Sequence, residues 1–131
     1  MYQAVSNGVR VTVTPRYLEE ESLPEAGRYF FAYTVEITNL SLDRIKLKSR
    51  YWKIVDAAGR VQEVRGAGVV GKQPVLGPGE SFTYTSGCPL ETPSGTMQGS
   101  YDMERLGGGG TFHAEIPAFS LDAPQARRSV H

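Results

Sequence analysis

Apolar residues recur at every second position through much of this chain. The clearest case is residues 29–40, where Phe31, Tyr33, Val35 and Ile37 would lie on one side of an extended strand and the intervening residues on the other. A period of two is typical of a half-buried β-strand. No segment of the sequence shows the 3.6-residue period of an amphipathic helix. The pattern therefore predicts an all-β protein.

The remaining alternating segments are separated by glycine- and proline-rich turns. They are residues 9–17, 44–55, 60–65, 81–86, 97–106 and 111–121. About seven short strands joined in this way favour two packed antiparallel sheets, a β-sandwich. Pro15 lacks a ladder donor, which predicts a sheet edge or a bulge at that position. The apolar positions change parity within residues 44–55, which predicts a β-bulge in that strand.

Length, charge and cysteine content narrow the class of protein. The chain has 131 residues, enough for one domain with a core. We expect the domain to occupy residues 1–124 and residues 125–131 to form a disordered tail. Fourteen basic residues balance fourteen acidic ones, which gives no electrostatic basis for binding nucleic acid or an anionic membrane. The single cysteine, the lack of a signal-peptide pattern and the lack of a run of roughly 18 apolar residues predict a cytoplasmic protein.

The most unusual segment is residues 66–74, called the glycine loop below. Its G-x-G-x-x-G spacing is typical of pyrophosphate-binding turns, but those turns open a helix. Pro74 and the Gly-Pro-Gly turn that follows exclude a helix here, so we predict an ordered loop between two strands. Its N–H groups could form a phosphate-binding nest, with charge added by Lys72 and Arg65. Alternatively, the loop is structural and its glycines permit positive φ or close backbone approach. We favour over the nest a loop that displays Val69 and Val70 to a protein partner. The candidate residues are Gly66, Gly68, Val69, Val70, Gly71 and Lys72.

A second candidate site lies on the last predicted hairpin. If Gly107–Gly110 is the entire turn, Leu106 pairs with Thr111, Glu104 with His113 and Asp102 with Glu115. Carboxylates with one imidazole could hold a divalent ion. The alternative is an exposed strand face with screened charges. Asp102, Glu104, His113 and Glu115 are thus the residues of a metal-site hypothesis.

Catalysis has little support in the sequence. Cys88 and His113 are the one cysteine and the one histidine within the body of the chain, and nothing sets their geometry. Ser86 and Ser94 lack a nucleophile elbow. The aromatic residues occupy alternating positions and are expected to form core rather than a stacking platform for bases. We therefore predict no catalytic residues and no cofactor.

Several segments together resemble the ApaG family, over residues 7–124 and in the expected order. The segments that carry the resemblance are 51–56 (YWKIVD), 66–74 (GAGVVGKQP), 84–90 (YTSGCPL), 92–101 (TPSGTMQGSY) and 116–121 (IPAFSL). The resemblance implies an immunoglobulin- or fibronectin-III-like β-sandwich of about seven to eight antiparallel strands. It also implies a stand-alone cytoplasmic protein, related to partner-binding domains of eukaryotic F-box proteins and linked by name to cobalt resistance and magnesium efflux.

The function predicted from these observations is a non-enzymatic binding module that recognises a protein partner. Residues 66–74 lead as the contact segment, with residues 87–95 as a second one. The alternatives are a sensor that binds pyrophosphate or a nucleotide-type anion at Gly66–Gly71, and a divalent-cation binder. No nucleic acid and no membrane insertion are expected.

Overall fold

The alternating segments form strands in a computed structural model that describes residues 1–128, with side chains described through residue 126. The strands are β1 (Tyr2–Ser6), β2 (Val9–Tyr17), β3 (Tyr29–Asn39), β4 (Ile45–Asp56), β5 (Val61–Ala67), β6 (Val75–Leu76), β7 (Ser81–Leu90), β8 (Ser94–Arg105) and β9 (Gly110–Asp122). Two 3-10 helices, Glu19–Glu21 and Pro24–Ala26, precede β3, and α1 (Pro124–Arg128) follows β9. Within this part of the chain, no helix has the length and apolar character needed to cross a lipid bilayer.

The strands form two antiparallel sheets, which confirms the predicted β-sandwich. One sheet has the order β1-β2-β3-β7, and the other has the order β5-β4-β8-β9, with β6 also paired to β4. On one side of the sandwich β1 and β2 contact β9, and the Tyr2 hydroxyl lies 3.2 Å from Ser120 Oγ. On the opposite side β5 and β7 are the edge strands, and the sheet orders do not pair them with each other. The sandwich is therefore closed on one side and open on the other.

The core consists of the alternating residues predicted to face inward. Phe31, Val35 and Ile37 of β3 are almost fully buried. Trp52 of β4 makes edge-on contacts with Tyr33 and Phe119, with ring centroids 5.1 Å and 5.9 Å apart. The aromatic side chains are thus core, as the sequence predicts, because a period of two places one face of each strand between the sheets.

The predicted bulge lies in β4, where the pairing with β8 shifts between Leu47 and Ser49. Lys48 is the extra residue, so the inward face passes from Leu47 to Arg50, Trp52 and Ile54. The prediction for Pro15 is also confirmed. β1 pairs with β2 only as far as Val13, so β2 is an edge at Pro15.

Several boundaries differ from the predictions. β1 was not predicted, because only its weak alternation between half-buried and exposed residues marks it. β7 continues through Gly87 and Pro89, which read as turn residues, because an edge strand tolerates proline. The prediction of no helix is wrong at α1, a segment of 5 residues, too short to show a helical period. The predicted tail at residues 125–131 therefore begins in this helix after the buried Ala123, and residues 129–131 lie outside the described residues.

Candidate functional site

The glycine loop joins two strands that lie on the same edge of β4. β5 pairs with residues 49–55 of β4, and β6 pairs with Ile45 and Lys46. Between them the loop is fixed to the bulge, because Gly68 N and Gln73 Nε2 donate hydrogen bonds to Lys48 O at 2.9 Å and 2.8 Å. The loop is therefore ordered, as predicted, and its position follows from the bulge.

The tip of the loop is a tight reversal at Val69–Lys72. Val69 N donates to Lys72 O at 2.8 Å, and Lys72 N donates to Val69 O at 2.9 Å. The two residues between them have positive φ, 44° at Val70 and 77° at Gly71, as in a type I′ turn. Val69 is fully buried, so the prediction that the loop displays it is wrong, while Val70 is 52% exposed. A β-branched residue at positive φ is a conformational outlier, and here it is at the exposed tip.

The glycines at the start of the loop have specific steric causes. A Cβ atom at Gly66 would lie 2.8 Å from Arg50 Nη1, so this glycine makes room for a guanidinium group. A Cβ atom at Gly68, where φ is 62°, would lie 2.2 Å from Lys72 O. The amide groups of Gly68, Val69 and Lys72 already donate to carbonyl groups of the protein. The first two glycines of the motif are thus accounted for by packing and chain reversal.

Arg50 is the functional candidate that the sequence analysis did not name. It lies on the inner face of β4 after the bulge, and its Nη1 donates hydrogen bonds to Ala67 O at 3.1 Å and Gly68 O at 3.0 Å. The ion pairs found among the described residues do not include Arg50. The sequence contains a signal for this orientation. If the bulge lies before Arg50, then Arg50 occupies the same face of the strand as Trp52 and Ile54.

Arg50 lines a cavity of about 230 Å³ between the two sheets, on the open side of the sandwich. Other lining residues include Tyr33 and Trp52 from the interior, Gln62 from β5, and Ser86 and Cys88 from β7. The cavity therefore combines one cation, hydroxyl, amide and thiol groups, and an aromatic wall. It is called the inter-sheet cavity below.

Burial dominates the electrostatics around this cavity. It raises the pKa of Tyr33, Tyr84 and Tyr101, while the positive charge of Arg50 acts in the opposite direction on each phenol. The hydroxyl groups of Tyr84 and Tyr101 hydrogen-bond to each other. Burial also raises the pKa of the Cys88 thiol to about 11. At neutral pH the cavity thus holds neutral hydroxyl and thiol groups beside a single positive charge.

The last hairpin differs from the predicted register by two residues. Gly110 pairs with Arg105 and belongs to β9, so Asp102 pairs with His113 and Glu104 pairs with Thr111. The assumption that all four glycines form the turn is wrong, because Gly110 pairs with Arg105 in the sheet. A shift of two keeps every side chain on its predicted face but changes each partner.

The new register brings Asp102 and His113 into contact, and these two residues line one open cavity with Glu115, whereas Glu104 is not part of its lining. Asp102 Oδ1 lies 2.7 Å from His113 Nε2, Glu104 lies 3.7 Å from Lys48 Nζ, and Glu115 pairs with Ser100. No group of three or more histidine, cysteine, aspartate or glutamate residues suited to a metal occurs in the part of the chain that is described.

Two other predictions concern residues near β7. Residues 87–90 belong to β7 and pair with residues 29–32 of β3, so the second contact segment shrinks from 87–95 to the turn after Leu90. Cys88 is buried on β7, whereas His113 is exposed on β9. The structure does not bring this cysteine and histidine together.

Comparison with known proteins agrees with the resemblance noted in the sequence. The family profile described as the ApaG domain matches residues 19–105, more than half of the chain. Protein ApaG from Methylobacterium sp. (strain 4-46) is 66% identical over 131 residues, 100% of both chains, and Protein ApaG from Brucella abortus (strain S19) is 57% identical over the same extent. A crystal structure from Bordetella pertussis is 52% identical, with a TM-score of 0.85 over 89% of this chain and 94% of that chain.

Proposed function

Because this chain belongs to the ApaG family, we propose that it is a non-enzymatic module that binds another protein through the tip of its glycine loop. The observation that carries this proposal is Val70, an exposed β-branched residue at positive φ. Such a conformation costs on the order of 1–3 kcal/mol and persists only where the surroundings impose it. Residues held in such conformations cluster at active sites, ligand clamps and switch regions.

The loop also has the rigidity that a contact site needs. Lys48 O accepts two hydrogen bonds from it, and Leu47 N donates to Pro74 O at 3.0 Å. Val69 is buried beneath the tip and anchors it to the core. A partner that contacts Val70 would therefore meet a pre-organised apolar knob, which reduces the entropy lost on binding.

The proposal includes cytoplasmic location and an indirect role in metal homeostasis. A buried free thiol at Cys88 is typical of proteins in a reducing compartment. In this proposal, the link of the family to cobalt resistance and magnesium efflux arises through the protein partner and not through metal binding by this chain. Asp102 and His113 engage each other, and Asp102 Oδ2 also accepts a hydrogen bond from Ser49 Oγ at 2.7 Å, which favours this reading over direct metal binding.

The test is a comparison of Val70→Asn with Val61→Asn. Asparagine tolerates positive φ, so Val70→Asn removes the apolar side chain without adding strain. Val61, on the edge strand β5, is 56% exposed and is a matched control. In quantitative affinity purification from cells that express the tagged protein, we expect Val70→Asn to lose a partner that the wild type and Val61→Asn retain. Equal recovery with Val70→Asn, at an unchanged melting temperature, would contradict the proposal.

A second candidate function is recognition of pyrophosphate or a nucleotide-type anion at the same tip. The amide groups of Val70 and Gly71 form no hydrogen bond within residues 1–128, and Lys72 beside them is exposed. Two adjacent free N–H groups with a cation are the elements of an anion nest. This candidate predicts that pyrophosphate raises the melting temperature of the wild type, and that Lys72→Ala reduces the rise while Lys53→Ala does not.

A further inference from the structure

The inner face of β4 carries the positive charge of Arg50. Arg50 has a half-buried side chain, and no carboxylate among the described residues lies within ion-pair distance of it. Its Nη1 is held by two carbonyl groups, while no hydrogen bond from Nε or Nη2 occurs in the described part of the chain. Removing a guanidinium group partly from water costs free energy, and a bound anion that pairs with the group offsets this cost.

The backbone around Arg50 is shaped to hold the guanidinium in this place. The bulge at Lys48 turns Arg50 inward, and Gly66 leaves the space that the guanidinium occupies. The carbonyl groups of Ala67 and Gly68 orient it from the side of the glycine loop. A charge held by three independent features is pre-organised for a ligand, since its own position costs little further entropy.

The inter-sheet cavity beside Arg50 has distinct polar and apolar parts. Polar groups come from Tyr33, Ser86 and Gln62, and the apolar wall comes from Trp52, Ile54 and Met97. At about 230 Å³ the cavity has room for a ligand of amino-acid size, whereas pockets for drug-sized ligands have volumes of about 300–1,000 Å³. It lies between the edge strands β5 and β7, so a ligand can enter from the open side of the sandwich.

We propose that the inter-sheet cavity is a binding site for a carboxylate with an apolar body of amino-acid size. The carboxylate would pair with the Arg50 guanidinium and accept hydrogen bonds from the Ser86 and Tyr33 hydroxyl groups, while the apolar body packs on Trp52. A planar carboxylate matches the planar fork of arginine. A single cation balances one carboxylate better than a phosphate dianion, which favours the monoanion. This site is separate from the contact at Val70 and does not depend on it.

The same chemistry could come from a free acid or from the C-terminal carboxylate of a peptide. The probes are therefore 3-phenylpropionate, its neutral amide, and a hexapeptide ending in phenylalanine with a free or an amidated C-terminus. Trp52 is the sole tryptophan and lines the cavity, so its fluorescence reports binding directly. A free acid that binds at least as tightly as the peptide identifies a small-molecule site, and a peptide that binds about tenfold tighter identifies a chain terminus.

The decisive variant is Arg50→Gln, with Arg65→Gln as its control. Arg65 lies on the neighbouring strand β5 with a 68% exposed side chain stacked over the Tyr51 ring, so its loss changes the net charge equally without altering the cavity. We expect a saturable fluorescence change with 3-phenylpropionate and none with the amide. A charge-assisted contact predicts that Arg50→Gln weakens binding about tenfold to hundredfold, while Arg65→Gln binds as the wild type does.

Ser86→Ala is the second variant, since it keeps the charge and the fold but removes a cavity hydroxyl group. We expect it to lower the affinity for 3-phenylpropionate several-fold, so the proposal remains testable if Arg50→Gln does not fold. A flat response of the wild type to both carboxylate probes would overturn the proposal. Equal binding of the acid and the amide, or unchanged affinity in both Arg50→Gln and Ser86→Ala, would also overturn it.

Discussion

The two glycine-rich segments of this protein contain similar numbers of glycines for different reasons. In the glycine loop, a Cβ atom at Gly66 would meet the Arg50 guanidinium, and one at Gly68 would meet the backbone at Lys72 O. In the tetraglycine turn (Gly107, Gly108, Gly109 and Gly110), a Cβ atom at three of the four positions meets nothing within 4 Å. The first segment is therefore constrained at two positions, one of them by backbone, whereas the second is constrained only at Gly109, by the Arg105 side chain.

The first two glycines of the glycine loop are required by their surroundings, whereas most glycines of the tetraglycine turn are not. The spacing of the glycine loop is that of a pyrophosphate turn, yet its first two glycines are explained by a guanidinium and a chain reversal. The tetraglycine turn reverses a hairpin and touches little else, apart from the contact of Gly109 with the flexible Arg105 side chain. Substitutions in the two segments should consequently have different effects on stability.

The largest effect is expected for Gly68→Ala. Its φ of 62° is unfavourable for alanine, and the new Cβ atom would lie 2.2 Å from a backbone oxygen that cannot move freely. Strain and overpacking together should lower the free energy of unfolding by about 3 kcal/mol, measured by urea denaturation. Gly71→Ala is the matched control, since its φ is 77° but its Cβ atom meets nothing, and it should lose only about 1 kcal/mol. Equal losses would contradict the steric argument.

Gly66→Ala should have the next largest effect, about 1–2 kcal/mol, because the Arg50 side chain must move to admit the Cβ atom. A double-mutant cycle measures this directly. In an Arg50→Ala background, Gly66→Ala should cost less than about 0.5 kcal/mol, since the clashing group is gone. An undiminished cost in that background would mean that Gly66 serves another purpose.

The sequence predicted the fold well because alternation reports burial directly. β3 follows from the alternation of Phe31, Val35 and Ile37, and the bulge in β4 follows from the change of parity between Leu47 and Trp52. The last hairpin was placed two residues out of register, since four glycines give no local signal for where the pairing begins. Both registers place Met103 and Ala114 on the inner face, so the alternation of apolar residues does not distinguish the predicted pairing from the observed one, in which Gly110 pairs with Arg105.

The candidate site was harder to predict than the fold. Val69 and Val70 are adjacent and chemically identical, yet one is fully buried and the other is 52% exposed, because the turn between Val69 and Lys72 reverses the chain. The inward direction of Arg50 depends on one bulge residue, Lys48, that shifts the parity of the strand. The inter-sheet cavity requires β5 and β7 to lie at the same side of two different sheets, which is a property of topology.

The rate at which Cys88 reacts with a thiol probe gives a further test of the difference between the two glycine-rich segments. Burial raises its thiol pKa to about 11 from an ordinary value of 9.0, so the folded protein keeps the neutral thiol. Below the folded pKa, the rate of reaction with a thiol probe should rise about tenfold per pH unit, and at pH 8 it should be about a hundredfold slower than in urea.

Because the folded protein favours the neutral Cys88 thiol, the contribution of this group to stability is fully present below the ordinary pKa. That contribution is lost as the pH rises from about 9 towards 11. Gly66→Ala, which displaces Arg50 beside the cavity, should accelerate the reaction, while Gly107→Ala should leave it unchanged. Equal rates for folded and urea-unfolded protein at pH 8 would mean that the thiol is not shielded.

The smallest effect is expected for Gly107→Ala itself. Its Cβ atom would meet nothing within 4 Å, and its φ is not positive, so alanine fits without strain. Alanine also restricts the unfolded chain more than glycine does, which contributes up to about 1 kcal/mol in favour of folding. The free energy of unfolding should thus stay the same or rise slightly in urea denaturation. A loss comparable to that of Gly66→Ala would show that the tetraglycine turn is as constrained by its surroundings as the glycine loop, since only a packed neighbour can make a strain-free alanine unfavourable.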